Sequence, residues 1–326
     1  MMSYARSLPA LALIVSALAA QAGFAQEYPT RPIRVICPYG AGGASDIVAR
    51  AAAFEIGKTL GQSLVVENRT GAGATIGFEA FASSPPDGYT LLATASSLHG
   101  IAAPLYAALL KHDPNKDIEP IIVLANADNV LVVNPSEKVT TVRDLIALAK
   151  SKPGELTFVS AGIGTSVHMA GEMFKYMAGV SMTHVPYRSS VAALTDLMAG
   201  RVNVMFDNIP SSLGPIRSGK LRAIATTGAK RAATLPELPT IAESGLPGYQ
   251  AGVWIGYLAP LGTPKAIIEK LNAAGQKAVH TPEFAKRVGD LGNDVVGGTP
   301  EQMWDMIRSE VKRMAPIVKA SGAKPE

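Results

Sequence analysis

The sequence predicts a two-lobed α/β protein, each lobe a mainly parallel sheet flanked by helices, and three observations predict it. From Ile33 onward, short β-rich runs alternate with helical patterns, the signature of α/β layering. The alternation pauses at a long strand-like passage after Pro120 and then restarts with a second set of units. The 326-residue chain is 48% hydrophobic, enough apolar side chain for two cores.

In the first set, Ile33 to Cys37, Leu64 to Glu67 and Thr90 to Ala93 read as strands, with Ser45 to Lys58 and Ile76 to Ala82 as the helices between them. The central passage holds two strand-like runs, Ile121 to Leu124 and Val130 to Val133. A helix follows from about Val142 to Lys150, with Thr141 placed to cap it. The second set gives strands at Leu156 to Ser160, Met182 to Pro186, Val202 to Phe206 and Leu221 to Thr226, and helices at Ser166 to Met177 and Ala192 to Met198. In the tail, Thr263-Pro264, Thr281-Pro282 and Thr299-Pro300 each put a capping hydroxyl before a proline at the first helical position, and Gln302 can complete a capping box with Thr299. Trp304, Ile307, Val311 and Met314 recur at helical spacing, the stripe by which a terminal helix closes a lobe.

Composition bounds compartment and partners. Arg6, an apolar run from Leu8 to Ala20, and Gly23-Phe24-Ala25 before Gln26 read as a Sec-type signal peptide cut after Ala25, which places the mature chain in the periplasm. No later stretch reaches the roughly 18 unbroken apolar residues of a membrane span. The formal net charge of +4 is spread without a basic block, so nucleic acid is not a partner. Cys37 is the sole cysteine, so no intrachain disulfide forms, and its place in an apolar run makes it a buried strand residue without chemistry. With no composition shift to mark a boundary, topology places the lobes. Residues 1–25 are the leader, 26–125 plus 252–326 form lobe 1, and 126–251 form lobe 2.

The strongest local motif is Pro38-Tyr39-Gly40-Ala41-Gly42-Gly43-Ala44-Ser45-Asp46, a glycine-rich turn between a strand and a helix. Glycines let backbone N–H groups turn toward a ligand, and a helix N-terminus favours an anion. The spacing matches neither a dinucleotide fingerprint nor a phosphate loop. A tight turn capped by Ser45 or Asp46 would look the same. A second junction of this kind is Ser160-Ala161-Gly162-Ile163-Gly164-Thr165-Ser166-Val167-His168. If the two face one cleft, they can hold the oxygens of a small carboxylate through N–H groups and hydroxyls without an arginine. Gly71-Ala72-Gly73-Ala74, after Glu67-Asn68-Arg69, is a third glycine-rich segment of secondary standing.

Enzymatic readings each lack a part. There is no G-x-S-x-G elbow and no H-E-x-x-H, and the five histidines have no metal-site spacing. His168 and Glu172, four apart on a helix, read as a polar pair. No metal, cofactor or catalytic residue is expected.

The motifs together resemble the tripartite tricarboxylate transporter receptors, the Bug-type periplasmic solute-binding proteins. The resemblance rests on Tyr28-Pro29, Pro32-Ile33, Gly42-Gly43 with Asp46, Glu67-Asn68-Arg69 and Pro86-Asp87-Gly88-Tyr89-Thr90-Leu91-Leu92. It continues through Gly164 to His168, His184-Val185-Pro186-Tyr187-Arg188, Phe206-Asp207-Asn208, Leu238-Pro239-Thr240 and Gly262-Thr263-Pro264. It implies a Venus-flytrap fold that closes on a di- or tricarboxylate, an aromatic carboxylate or an acidic amino acid and presents it to membrane permease subunits, as a monomer. A sensor subunit with the same cleft, or an α/β enzyme acting on a small carboxylate, is the alternative. Implied ligand contacts are Tyr39, Gly42, Gly43, Ala44 and Ser45; Thr94, Ser96 and Ser97; Ser160, Gly164, Thr165, Ser166 and His168; and Tyr187 and Asp207, with Arg188 as a competing cationic anchor. Gly40, where the family often has a bulkier residue, and Ser189-Ser190, where a glycine is usual, depart from the pattern and bear on ligand identity.

Overall fold

The computed structural model describes residues 28–290 and 292–325, so the expected signal peptide lies outside the described residues. None of the described helices is long and apolar enough to cross a membrane. Strands β1 (Ile33–Cys37), β2 (Leu64–Asn68) and β3 (Thr90–Ala95) are parallel, with α1 (Ala44–Leu60) and α2 (Thr75–Ala82) as crossovers. A second parallel set comprises β5 (Thr157–Ser160), β6 (Thr183–Pro186) and β7 (Val204–Asn208), linked by α4 (Ser166–Ala178) and α5 (Ser190–Met198). The periodicity therefore located these units to within a few residues.

The middle of the molecule differs from the expectation. The two central runs form one strand of 16 residues, β4 (Ile118–Val133). β4 pairs antiparallel with β9 (Gly252–Pro260) as far as Asp128, with β7 from Asn129, and with β8 (Arg222–Thr226) from Val130. It thus joins both halves in the order β2-β1-β3-β9-β4-β7-β5-β6, with β8 and β10 (Asn293–Gly297) also on β4. β9 was not anticipated: Val253 to Pro260 are all buried, so no polar alternation marks the strand. The return crossing is stitched to the outgoing one, because Thr227 N–H donates to Asn129 O and Ala251 N–H to Thr227 O, both at 2.9 Å.

Between the two crossings lie α3 (Val142–Ser151), capped by Thr141 as expected, and α6 (Ile209–Arg217), which follows β7 directly. In the tail, Thr281 caps α8 (Pro282–Gly289), and the Thr299–Gln302 capping box opens α9 (Pro300–Ser321). The third expected cap is absent. Pro264 itself is the N-cap of α7 (Lys265–Val279), with extended ψ, and the Thr263 hydroxyl donates instead to Pro260 O at 2.7 Å. Nor does α9 stay with one half: Met303 and Ile307 join the apolar cluster of Phe78 and Leu258, while Met314 and Ile317 join that of Met169 and Phe174 on α4. Trp304 and Val311, expected on the buried stripe, are half-buried at its edge. Cys37 is fully buried and free, with its thiol pushed up to about 11 mainly by burial.

Candidate ligand cleft

In the first half, β1 runs into an exposed turn, Gly40 to Gly43, before α1 begins. Gly42 has φ +76°, a left-handed conformation that glycine adopts without strain. Its N–H donates to Asp46 Oδ2 at 3.0 Å, and Gly43 N–H donates to Gly40 O at 3.2 Å. Both N–H groups singled out by the sequence are therefore used within the turn, and the donors that helix geometry leaves over are those of the first turn, at Ala44 and Ser45. Asp46 is buried, and its Oδ1 accepts from Arg50 Nε at 3.0 Å and Asn68 Nδ2 at 2.8 Å. Burial alone would raise its pKa, but Arg50, the Gly42 N–H and Asn68 outweigh it and hold the carboxyl below the usual range.

The neighbouring end of β3 supplies hydroxyls. Tyr39 hydroxyl accepts from Ala95 N–H at 3.1 Å and lies 3.5 Å from Ser97 Oγ. Thr94 Oγ1 is 3.0 Å from His99 Nε2, and His99 Nδ1 is 3.1 Å from Pro114 O, so the proton sits on Nδ1 and Thr94 donates to Nε2. Burial pushes His99 down to about 4. Ser96, nearly fully buried, makes no side-chain hydrogen bond among the described residues.

In the second half, Ser160 ends β5 with its Oγ 2.7 Å from His184 Nε2 and accepting from Gly162 N–H at 3.2 Å. Thr165 is the N-cap of α4: its hydroxyl donates to Gly162 O at 2.8 Å and accepts from His168 N–H at 3.3 Å. His168 Nδ1 accepts from Gly164 N–H at 3.3 Å, which puts the ring proton on Nε2, 3.7 Å from Glu172 Oε1. Its ring stacks on His184 at 4.0 Å. Burial, then His184 and Lys175, push His168 down to about 3; burial and Lys175 push His184 down to about 4. Both rings are neutral at neutral pH. Glu172 is held by Lys175 Nζ at 2.8 Å, an ordinary polar pair, and no metal-binding group of His, Cys, Asp or Glu occurs among the described residues. The Ser45 and Ser166 hydroxyls make no hydrogen bond among the described residues.

The two halves meet at Gly164. A Cβ placed there would lie 3.6 Å from Leu105 Cδ2, 3.8 Å from Tyr106 Cε2 and 4.0 Å from Gly73 Cα. A Cβ on Gly73 would lie 3.0 Å from the same Tyr106 ring. The segment around Gly73, secondary in the sequence, thus forms the wall opposite the second junction. Leu105 and Tyr106 had no sequence signal that marked them. Other candidates are committed elsewhere. Tyr187 hydroxyl donates to Asp196 Oδ2 at 2.7 Å on α5, and Arg188 is exposed. Asp207 is fully buried, with Oδ2 accepting from Ser211 and Ser212 hydroxyls, and burial raises its pKa. A concavity of about 490 Å³ lies away from the junctions, on α1 and β2 beside Phe54, Lys58 and Leu64.

A family model described as "Tripartite tricarboxylate transporter family receptor" matches residues 48–323. The chain is 37% identical over 305 residues to Protein BugT of Bordetella pertussis, covering 92% of each. It is 36% identical over 314 residues to a protein of the tcbD-tcbE intergenic region of Pseudomonas sp., covering 96% of this chain and 93% of that one. Among solved structures, R. palustris Rpa4515 with adipate matches at TM-score 0.85 and 36% identity, over 92% of this chain and 100% of that one. MatC from Rhodopseudomonas palustris with bound malate matches at TM-score 0.82 and 32% identity, over 89% and 100%.

Proposed function

We propose that this chain, which belongs to the tripartite tricarboxylate transporter receptor family, captures a small aliphatic dicarboxylate between its two lobes in the periplasm and delivers it, as a monomer, to membrane permease subunits. It is a solute-binding protein, not an enzyme. The observation that carries the ligand reading is the approach of the second strand-to-helix junction, at Gly164, to Tyr106 and Gly73 of the first half, where Tyr39 of the first junction packs on the same apolar cluster as Tyr106. Each junction has a helix first turn and a hydroxyl without a hydrogen bond among the described residues, Ser45 and Ser166. First-turn N–H groups and hydroxyls suit a carboxylate at each end of a short chain. The relatives that hold adipate and malate support that class.

The lobes follow the strand pairing. Lobe 1 is residues 26–125 plus 252–326 and lobe 2 is residues 126–251, a division supported by the change of β4 partner between Asp128 and Asn129 and by the return at Gly252. Export through residues 1–25 completes the reading.

A thermal-shift screen of mono-, di- and tricarboxylic, aromatic and amino acids tests it, since a ligand at 100 times its Kd stabilises the native state by about 2.7 kcal/mol. Adipate and malate are expected among the strongest shifts. If Arg188→Gln abolished binding while Ser45→Ala and Ser166→Ala left it within twofold, a salt-bridge receptor would replace the junction mechanism.

A further inference from the structure

Glu67-Asn68-Arg69 is prominent in the sequence, and the carboxylate site above uses none of the three. Asn68 ends β2 directly beside Cys37, the last residue of β1, so its side chain reaches the turn that leaves β1. Its Nδ2 donates to Tyr39 O at 2.9 Å and to Asp46 Oδ1 at 2.8 Å, and its Oδ1 accepts from Arg50 Nη2 at 2.8 Å. A carbonyl and a carboxylate can only accept and a guanidinium can only donate, so the amide has one orientation. No other small side chain supplies this set: aspartate lacks the donors and serine has one too few. Arg50 is itself held by Asp46 Oδ1 at 3.0 Å and Val66 O at 3.3 Å, and Asp46 Oδ2 holds the Gly42 N–H at 3.0 Å. Both ends of the turn from Tyr39 to Asp46 are therefore tied to one amide, while Gly40 to Gly43 between them stand exposed.

From this geometry we infer that Asn68 is a positioning residue for ligand capture: without touching the ligand, it holds the Tyr39–Ser45 turn in the shape that presents the first-turn N–H groups and the Ser45 hydroxyl. The inference rests on that turn being one wall of the carboxylate site. A wall that is in shape only part of the time lowers apparent affinity by the fraction of time it is out of shape. The glycines make the free turn mobile, so the anchor is what preorganises it.

Hydrogen exchange without ligand and calorimetric titration with adipate test this on the full mature chain. Asn68→Ala is expected to speed exchange over residues 39–46, leave residues 160–168 as in wild type, and weaken adipate by about 10- to 100-fold. Asn68→Asp adds a readout that general loosening would not move. At pH 7.5 the oxygen that replaces Nδ2 meets Asp46 Oδ1 and the Tyr39 carbonyl with no hydrogen between them, while Arg50 still donates to both carboxylates from the other side, whereas at pH 5 a proton shared by the two carboxylates restores one bond. Its affinity relative to wild type at the same pH should therefore rise on acidification. Unchanged exchange over 39–46 in Asn68→Ala overturns the inference, and because this arm needs no ligand it holds even if adipate is not bound. Adipate affinity within twofold of wild type in Asn68→Ala, while Ser45→Ala and Ser166→Ala weaken it, also overturns it and leaves the carboxylate site standing. If adipate binds and neither serine variant matters, the site itself is misplaced and a loosened turn in Asn68→Ala is a structural anchor only.

Discussion

The two junctions share one pattern, strand, glycines, hydroxyl, helix, yet are wired in opposite ways. In the first, the N-cap is Gly43 without a side-chain bond, and a carboxylate from the helix itself, Asp46, takes the Gly42 N–H. In the second, the N-cap is Thr165, its hydroxyl closes the turn, and the nearest titratable group is the neutral His168. The first helix terminus thus already faces a negative charge, which Arg50 counters, whereas the second faces none. On the proposed reading, an incoming carboxylate would gain more from the second terminus, and the first would contribute shape and hydroxyls. Equal motifs do not imply equal shares of recognition.

The comparison breaks most visibly at Asp46. Asp46→Ala removes acceptors from Gly42, Arg50 and Asn68 at once, and is expected to cost about 3 kcal/mol of stability in urea unfolding, moderated because Arg50 is half exposed and can rehydrate. The corresponding second-half terminus has no acid to lose. Stability within about 0.5 kcal/mol of wild type, the range of an ordinary surface substitution, would mean that the fixed carboxylate does not distinguish the junctions.

Acid should separate the halves next. His168 and His184 are lowered in the folded state to about 3 and about 4, so their contribution to stability is intact above the unfolded value near 6.5 and is lost as pH falls through the folded values. At pH 5 the loss is about 2 kcal/mol at His168 and smaller at His184, whose partial exposure screens it. Asp128 works in the other sense: burial, then Asp294, raise it to about 6, so its penalty is full above 6 and relieved toward the unfolded value near 4. Unfolding at pH 7 and pH 5 should show a net loss that His168→Asn reduces and Asp128→Asn enlarges. A His168→Asn slope equal to wild type would mean that the second junction is not acid-sensitive.

How much of this was legible depended on the range of the interaction. The Thr141 and Thr299 caps were readable because a capping box spans three residues, and α1 and β1 because their periodicities are local. β9 was silent because burial on both faces removes alternation, and the single β4 was hidden because its two runs pair with different neighbours. The sequence placed both strand-to-helix junctions correctly along the chain. It could not say which donors remain free, because the partners of Asp46, Ser160 and Tyr39 are Asn68, His184 and Ala95, 22, 24 and 56 residues away. Nor could it show that Asp207 accepts from Ser212 or that Tyr187 donates to Asp196.

A sharper test compares free hydroxyls across the two lobes. The Ser166 and Ser45 hydroxyls make no hydrogen bond among the described residues, so neither substitution to alanine should shift unfolding by much. Losing a hydrogen bond to a charged ligand costs about 1.5–3 kcal/mol, so Ser166→Ala should weaken the dicarboxylate by roughly 10- to 150-fold in calorimetry. Ser45→Ala should weaken it less, because Asp46 lies beside it. The reverse order would assign the charge recognition to the first lobe.

The smallest expected effect is at Thr165, whose hydroxyl the sequence marked as a candidate ligand contact. The hydroxyl has one proton, and that proton is given to Gly162 O, while its oxygen accepts the His168 N–H. It therefore has no hydrogen left for a ligand oxygen unless the turn opens. Thr165→Val keeps the shape and loses both bonds, so it should cost about 1 kcal/mol of stability, the usual worth of an N-cap, and reduce affinity by less than Ser166→Ala does. Thr165→Ser restores the cap and should restore the stability. If Thr165→Val left unfolding unchanged but weakened the ligand as strongly as Ser166→Ala, the hydroxyl would be turning from Gly162 to the ligand on binding, and the second junction would open as it recognises its anion.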